Sequence, residues 1–503
     1  MARRHEYVSF FGDRRGKRRE FAGFEGRFGI SRILLPGLAV AILGVSLWWF
    51  GFREVDADAA AIITMEDETV PTLLLPAGGD GGEFAGDASF ECLETAEDWT
   101  TFQGGPGRTG CAAPTRVITD PRVLWKAEVG IQGWLNNPII VGNSIYVSSA
   151  GVAQFVADRR DAIYSLDLRT GRQNWYYQAE LDVNGIGYLD GIVVATGDEG
   201  RVWGFDARDG SLVWSNDLDT PIYSNPLTVG GMAIVGDGLG QLTAYDIHSG
   251  TPRWDEPAEV DGAIRGGASS DGERIFVAGE NNEVAAFNFS GQELWRTKVA
   301  ARGQSAEQTR IFAAPTIAGD LLIVTLVRLD VYAEPAVVAL DRATGDIVWQ
   351  AVDVAGIKTG NWANIRSSVA VAGELVLFGE AYSDSLVALD LLTGQTRWSA
   401  EVGSYCLPHW PSPLIAGDQV IMPRDDGGLY AVSLTDRTMV WEIYLGNQVN
   451  QPGGTFPAGF NDDFCEESES GYPILSSPAI SDDGIIVVGT LEGWIWAIGD
   501  RSW

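Results

Sequence analysis

Histidine is nearly missing from this chain: there are three in 503 residues, His5, His248 and His409. They stand far apart, and no Cys-x-x-Cys pair accompanies them, so neither the histidine nor the cysteine pattern of a zinc centre is present. His-Glu-x-x-His, Gly-x-Ser-x-Gly and phosphate-loop signatures are absent as well, which removes the zinc-protease, α/β-hydrolase and P-loop classes. Positive charge is scarce, with 35 Lys and Arg against 68 Asp and Glu and a formal net charge of −33. Nine of those basic residues fall in positions 1–32, against four acids, so the rest of the chain is more acidic than the total. Such a surface repels nucleic acid and anionic lipid and suits a soluble ectodomain.

Long helical patterns are lacking too, with one exception. Residues 33–52 (ILLPGLAVAILGVSLWWFGF) hold no charge and are long enough to cross a bilayer, with Trp48, Trp49 and Phe50 at one interface. The basic run before them predicts a cytoplasmic tail over 1–32 and a single-pass anchor in the cell membrane over 33–52, with everything after it extracytoplasmic. A cleaved signal peptide is the alternative, with Ala57-Asp58-Ala59 as its weak cleavage site. Residues 53–97, acidic and rich in Ala, Gly and Thr, read as a flexible linker. Only four cysteines occur, Cys92, Cys111, Cys406 and Cys465, all beyond the apolar span. That suits an oxidising compartment; of three connectivities, 92 with 111 and 406 with 465 is expected, and no metal site.

What the chain does have is a repeat. Trp125, Trp175, Trp214, Trp254, Trp295, Trp349, Trp398 and Trp441 recur at intervals of roughly 40–50 residues, the mark of a stacked or radial architecture. The frame is clearest in Ile163-Tyr164-Ser165-Leu166-Asp167-Leu168-Arg169-Thr170-Gly171-Arg172-Gln173-Asn174-Trp175. It returns with Asp206, Gly210 and Trp214, with Asp246, Gly250 and Trp254, with Asp341, Gly345 and Trp349, and with Asp390, Gly394 and Trp398. Degenerate copies carry Asn288 and Gly291 before Trp295, and Ser433 before Trp441. Between turns, apolar and polar residues alternate in short runs, giving four strands per unit. Radial stacking would bury both faces of each sheet, with the indole as a wedge between neighbours. The first tryptophan lacks a strand before it and the last strand lacks a tryptophan after it. Val123–Lys126 are therefore expected to pair with residues 494–499 and close a ring of eight.

The Ala-x-Asp-x-x-Thr-Gly-x-x-x-Trp frame, together with the opening Trp99-Thr100-Thr101-Phe102-Gln103-Gly104-Gly105-Pro106-Gly107-Arg108-Thr109-Gly110, resembles the pyrrolo-quinoline-quinone-like (PQQ-like) β-propeller repeat family over residues 98–503. The resemblance implies an all-β, eight-bladed, quinoprotein-like propeller, here preceded by one transmembrane helix. That family includes quinoprotein dehydrogenases, a propeller lipoprotein of outer-membrane barrel assembly, and extracytoplasmic sensors or scaffolds, so membership alone leaves function open. Its dehydrogenases surround PQQ with adjacent cysteines, a calcium held by acid and amide ligands, and a catalytic Asp. This sequence has no adjacent cysteines and no motif for the calcium ligands. Gly105-x-Gly107-x-x-Gly110 matches a dinucleotide fingerprint only by letter, because no βαβ unit surrounds it. The acidic stretch 461–469 reads as a solvated loop rather than a calcium loop.

A ligand- or protein-binding scaffold or sensor is therefore expected, without a catalytic residue or assigned cofactor; PQQ-dependent oxidoreductase is the alternative, and envelope assembly the third reading. In propellers the residues entering each innermost strand ring the channel mouth. Three positions before the strand starts this gives Leu135, Tyr223, Arg265, Phe312, Arg366, Trp410 and Leu475, with Trp134, Trp362 and His409 close by. Arg265 and Arg366 among aromatics would hold the carboxylate of a peptide or small anionic ligand. The alternative is that both arginines pair with nearby acids.

Overall fold

A computed structural model describes residues 90–92, 98–152, 154, 156–299, 309–328, 336–351, 365–379, 385–402, 411–424, 426–445 and 474–503. The expected anchor and most of the linker lie outside these residues, as do Cys406, Cys465 and the stretch 461–469. Among the described residues no helix is long and apolar enough to cross a membrane.

The described chain is all-β and forms eight sheets, each built on four antiparallel strands, with a short fifth strand added in two of them. Blade 1 contains Ile139–Val141, Ser144–Ala150, Asp161–Asp167 and Gln173–Gln178, from the innermost strand outward. Blade 2 runs from Val183–Leu189 to Leu212–Asp217, blade 3 from Leu227–Val229 to Ala258–Glu259, and blade 4 from Ala268–Ser270 to Glu293–Lys298. Blade 5 runs from Thr316–Ala318 to Ile347–Ala351, blade 6 from Ala370–Ala372 to Thr396–Glu401, and blade 7 from Leu414–Ala416 to Met439–Tyr444. Blade 8 takes Ala479–Ile480, Ile486–Thr490 and Trp494–Asp500 from the carboxyl terminus and its outer strand, Pro121–Glu128, from the start. Trp125 pairs with Ala497 there, so the ring closes as the repeat count requires.

The indoles explain why blades stack in register. In outer strands such as Gln173–Gln178 and Leu212–Asp217 the tryptophan is the one buried residue. Its Nε1–H donates to a carbonyl of the next blade: Trp125 to Leu168 (2.9 Å), Trp175 to Ala207 (3.0 Å), Trp214 to Ile247 (2.8 Å), Trp349 to Leu391 (2.8 Å). The ring then lies against the turn glycine of that blade. A Cβ on Gly171 would sit 2.4 Å from the Trp125 ring, and its φ of +67° also demands glycine. Asp167 completes the turn by accepting from the Arg169 and Thr170 amides.

Two blades depart from the frame. In blade 3, prolines 252 and 257 bracket Trp254 and shorten the outer strand, yet the indole stays buried and bonds the Phe289 carbonyl. In blade 7, Arg437 occupies the glycine position with φ +63°.

The opening motif has a structural role that sequence reading did not supply. Residues 99–115 run around the axis at the end where the tryptophan turns lie, and bond the blades in succession. Trp99 exchanges backbone bonds with Ile140, and Thr100 O accepts from Tyr188 N. Thr101 Oγ1 donates to Pro226 O (3.1 Å). Pro106, Gly107, Thr109 and Gly110 carbonyls accept from Ser270, Ile317, Val371 and Ile415, and Thr115 N donates to Asp482 O. This girdle therefore touches all eight blades. Arg108, fully buried, donates to Ala268 O, Pro226 O, Phe102 O and Thr101 Oγ1, while Gln103 Nε2 reaches Pro413 O. Cys92 and Cys111 form a disulfide that pins the girdle's far end beside blade 7, as expected.

Candidate functional site

Opposite the girdle, the blades enter their innermost strands at a second ring of hydrogen bonds. Asn136 Nδ2 donates to Val183 O (2.7 Å), Thr196 Oγ1 to Ser224 O (3.1 Å), Ser368 Oγ to Ala314 O (3.0 Å). Ser412 Oγ accepts from Ser368 N (3.0 Å), Ser477 Oγ from Ser412 N (2.9 Å), and Asn137 Oδ1 from Ser477 N (2.7 Å). Asn225 and Gly267 make a parallel bridge. Small residues are required because neighbouring chains nearly touch: a Cβ on Gly266 would fall 2.0 Å from the Ala314 nitrogen.

The candidate mouth residues stand just outside this ring, as two stacked pairs. The Arg265 guanidinium lies 5.2 Å from the Tyr223 ring centre and the Arg366 guanidinium 4.9 Å from that of Phe312. Both separations suit cation–π attraction. Arg265 is 7% exposed, and its Nε sits 3.0 Å from Glu280 Oε2, so its charge is balanced inside the protein before any ligand arrives. Leu135 and Leu475 are buried and Trp134 is half-buried, its carbonyl accepting from Asn137 Nδ2. Trp362, His409 and Trp410 lie outside the described residues.

Sequence reading missed the acids that accompany Tyr223. Asp198, in the turn after the second strand of blade 2, accepts from Asn184 Nδ2 at 2.7 Å. Burial pushes its carboxyl up to about 6, against the Asn184 bond and with a smaller push from the Asp161 charge. Burial also raises the Tyr223 hydroxyl to about 12, helped by Asp198 and opposed by Arg265. The signal available in sequence was positional: Asp198, Asp237 and Glu280 occupy the same turn of blades 2, 3 and 4. Around Tyr223 and Arg265 the mouth is thus acid-rich, whereas the Phe312–Arg366 side keeps its cation over an aromatic face.

A quinone with calcium needs converging acid and amide ligands. Among the described residues no three His, Cys, Asp or Glu side chains come together, and the whole sequence lacks adjacent cysteines.

Similarity to known proteins follows the same line. A family profile described as "Outer membrane protein assembly factor BamB" matches residues 181–263 and 255–406. BamB of Burkholderia pseudomallei is 26% identical, covering 67% of this chain and 88% of that protein; BamB of Yersinia pestis is 23% identical over 67% and 80%. A quinohemoprotein alcohol dehydrogenase of Pseudomonas putida, ADH-IIG, is 26% identical over only 28% of this chain. Among solved structures, BamB of Moraxella catarrhalis superposes with a TM-score of 0.55 at 15% identity, over 75% of this chain and 99% of that one. A europium-containing methanol dehydrogenase gives 0.57 at 14% identity, over 80% and 98%. The structural likenesses establish a fold shared with BamB and with a methanol dehydrogenase alike. The tryptophan wedges, the eightfold closure and these relatives are all consistent with the PQQ-like β-propeller repeat family.

Proposed function

We propose that this propeller is a binding scaffold of the cell envelope, extracytoplasmic and without redox chemistry of its own, and that it serves the assembly of envelope proteins. The observation that carries the reading is the extent of similarity to proteins named as assembly factors, most of whose length aligns here, set against a dehydrogenase match confined to a quarter or so of the chain. The site chemistry supports it: the mouth offers stacked Arg–aromatic pairs and buried carboxylates, groups that recognise peptide, and no converging metal ligands among the described residues. The mouth is the face offered to the partner, because the girdle occupies the other end of the axis.

The test is site-specific photo-crosslinking in the native host, with the probe at Tyr223 or Arg366 on the mouth and at Ser290 on the opposite face. Adducts with envelope proteins in transit from the mouth positions alone are expected. Adducts confined to Ser290, or quinone-dependent dye reduction by the purified chain supplied with PQQ and calcium, would overturn the reading.

A further inference from the structure

Between blades 1 and 2, on the girdle side and away from the mouth, lies an open groove of about 900 Å³. Its origin is a single register position. In blades 2 to 7 the second strand begins opposite the turn residue of the third, and that position is Ile192 opposite Asp206, Met232 opposite Asp246, Arg274 opposite Asn288, Leu321 opposite Asp341, Leu375 opposite Asp390 and Gln419 opposite Ser433. In blade 1 it is Ser144, opposite Asp167. A long side chain is replaced by the shortest of the set, and the volume it would occupy is left open.

The lining is not what a mere packing gap would have, since empty cavities in proteins are apolar. Tyr188, partly exposed, forms its aromatic side and is backed by the buried Tyr146, with ring centres 6.3 Å apart and planes within 8°. Tyr146 is fixed by its hydroxyl, 3.1 Å from Ala207 O. Around the rings stand donors and acceptors of planar geometry. Asn143 donates to Asp167 Oδ2 (2.6 Å), Asn174 to Ser165 Oγ (3.3 Å), and Arg208 grips Asp206 through Nε (3.0 Å) and Nη2 (2.5 Å). The Arg208 bonds hold the Asp206 carboxyl down to about 2, so it is an acceptor throughout the physiological range. Asp190 and His248 complete the rim.

This composition selects by chemistry. Asp167, Asp190 and Asp206 outnumber Arg208, which repels an anion. A cation would use the carboxylates but offers no acceptor to the N–H groups of Asn143 and Arg208 beyond those already bonded to Asp167 and Asp206. A neutral polyol satisfies both sets, because every hydroxyl donates and accepts. Its C–H face carries the partial positive charge that an aromatic face attracts. The volume falls within the range of small-molecule sites, about 300–1,000 Å³. We infer that the groove between blades 1 and 2 binds a neutral saccharide unit, through Tyr188, backed by Tyr146, on one side and Asn143, Asp190 and Arg208 on the other. The site is separate from the mouth and independent of the function proposed for it.

Saturation-transfer difference NMR on the full chain, with maltose, cellobiose and N,N′-diacetylchitobiose as probes at millimolar concentration, tests this. Transfer to at least one sugar is expected, and Ser144→Leu should weaken that sugar by about tenfold or more. That variant restores the side chain that Leu321 and Leu375 provide in their own blades, so its melting temperature should match the parent. Arg208→Ala should weaken binding without filling the groove. Absence of transfer from all three sugars, transfer that survives Ser144→Leu, or displacement of the sugar by spermidine would each overturn the assignment.

Discussion

The two ends of this propeller are built on opposite principles. At the girdle end, one short segment and a circle of tryptophan turns tie every blade to its neighbours, and the polar atoms that serve this, Arg108 above all, are buried and hydrogen-bonded. At the mouth, charges are retained where they cost stability: Asp198 is held partly buried with its carboxyl raised, and Arg265 is tied up with Glu280. Stability has been gathered at one end and chemistry left at the other. Substitutions should reveal the division directly.

The largest effects belong to the girdle end. Trp175→Ala should destabilise the protein by about 3–5 kcal/mol, through lost burial of the indole and loss of its hydrogen bond to the Ala207 carbonyl, measured as a shift in denaturant midpoint. Arg108→Met should cost about 3 kcal/mol, because it leaves several buried oxygens without their donor. Replacing Cys92 and Cys111 together by alanine opens a loop with a sequence separation of 19 and should cost about 3 kcal/mol in the oxidised protein, with no difference once both proteins are reduced.

At the mouth the sign reverses. The Asp198 carboxyl has a folded pKa near 6, above its ordinary 3.8. The folded state therefore binds the proton more tightly than the unfolded one, and the penalty for ionising it grows as pH rises from about 4 to 6 and stays constant above. Asp198→Asn keeps an acceptor for Asn184 and removes that penalty, so it should raise stability by about 1–2 kcal/mol at pH 8 and by almost nothing at pH 4. A stabilisation that is equal at both pH values would break the comparison. The smallest effect expected is Arg437→Gly, a gain of about 0.5–1 kcal/mol from relieving positive φ in the one tryptophan-frame turn that lost its glycine to arginine.

The features that were legible in sequence are those whose causes are local. Asp167, Gly171 and Trp175 act within one turn and one blade junction, so repetition exposed them, the ring of eight, and the pairing of Trp125 beside Ala497. The disulfide between Cys92 and Cys111 was also near in sequence. What stayed hidden depends on distant partners. Arg108 bonds Ala268, 160 positions on, and nothing near it in the chain marks it as buried. Asp500 fills the turn position of blade 8 and accepts from the nearby Ser502 amide, but its other amide partners belong to Thr119 and Asp120, 381 and 380 residues earlier, so the frame appeared to stop short of it. Ser144 looked like an ordinary strand start until its register opposite Asp167 was compared with the other blades. The mouth ring was legible only as a set of positions. That Arg265 is joined to Glu280 and backed by Asp198 needed coordinates, because the turn carrying each acid belongs to a different stretch from the residue it meets.

The girdle also dictates a timetable. Residues 99–115 are the first part of the propeller to be made, but their partners are distributed through all eight blades, as far as Asp482, and the outer strand Pro121–Glu128 waits for Trp494–Asp500. No partial chain on the ribosome can fasten this ring. The strand Pro121–Glu128 must persist unpaired until Trp494–Asp500 is made, which implies slow closure and a long window in which that edge needs protection.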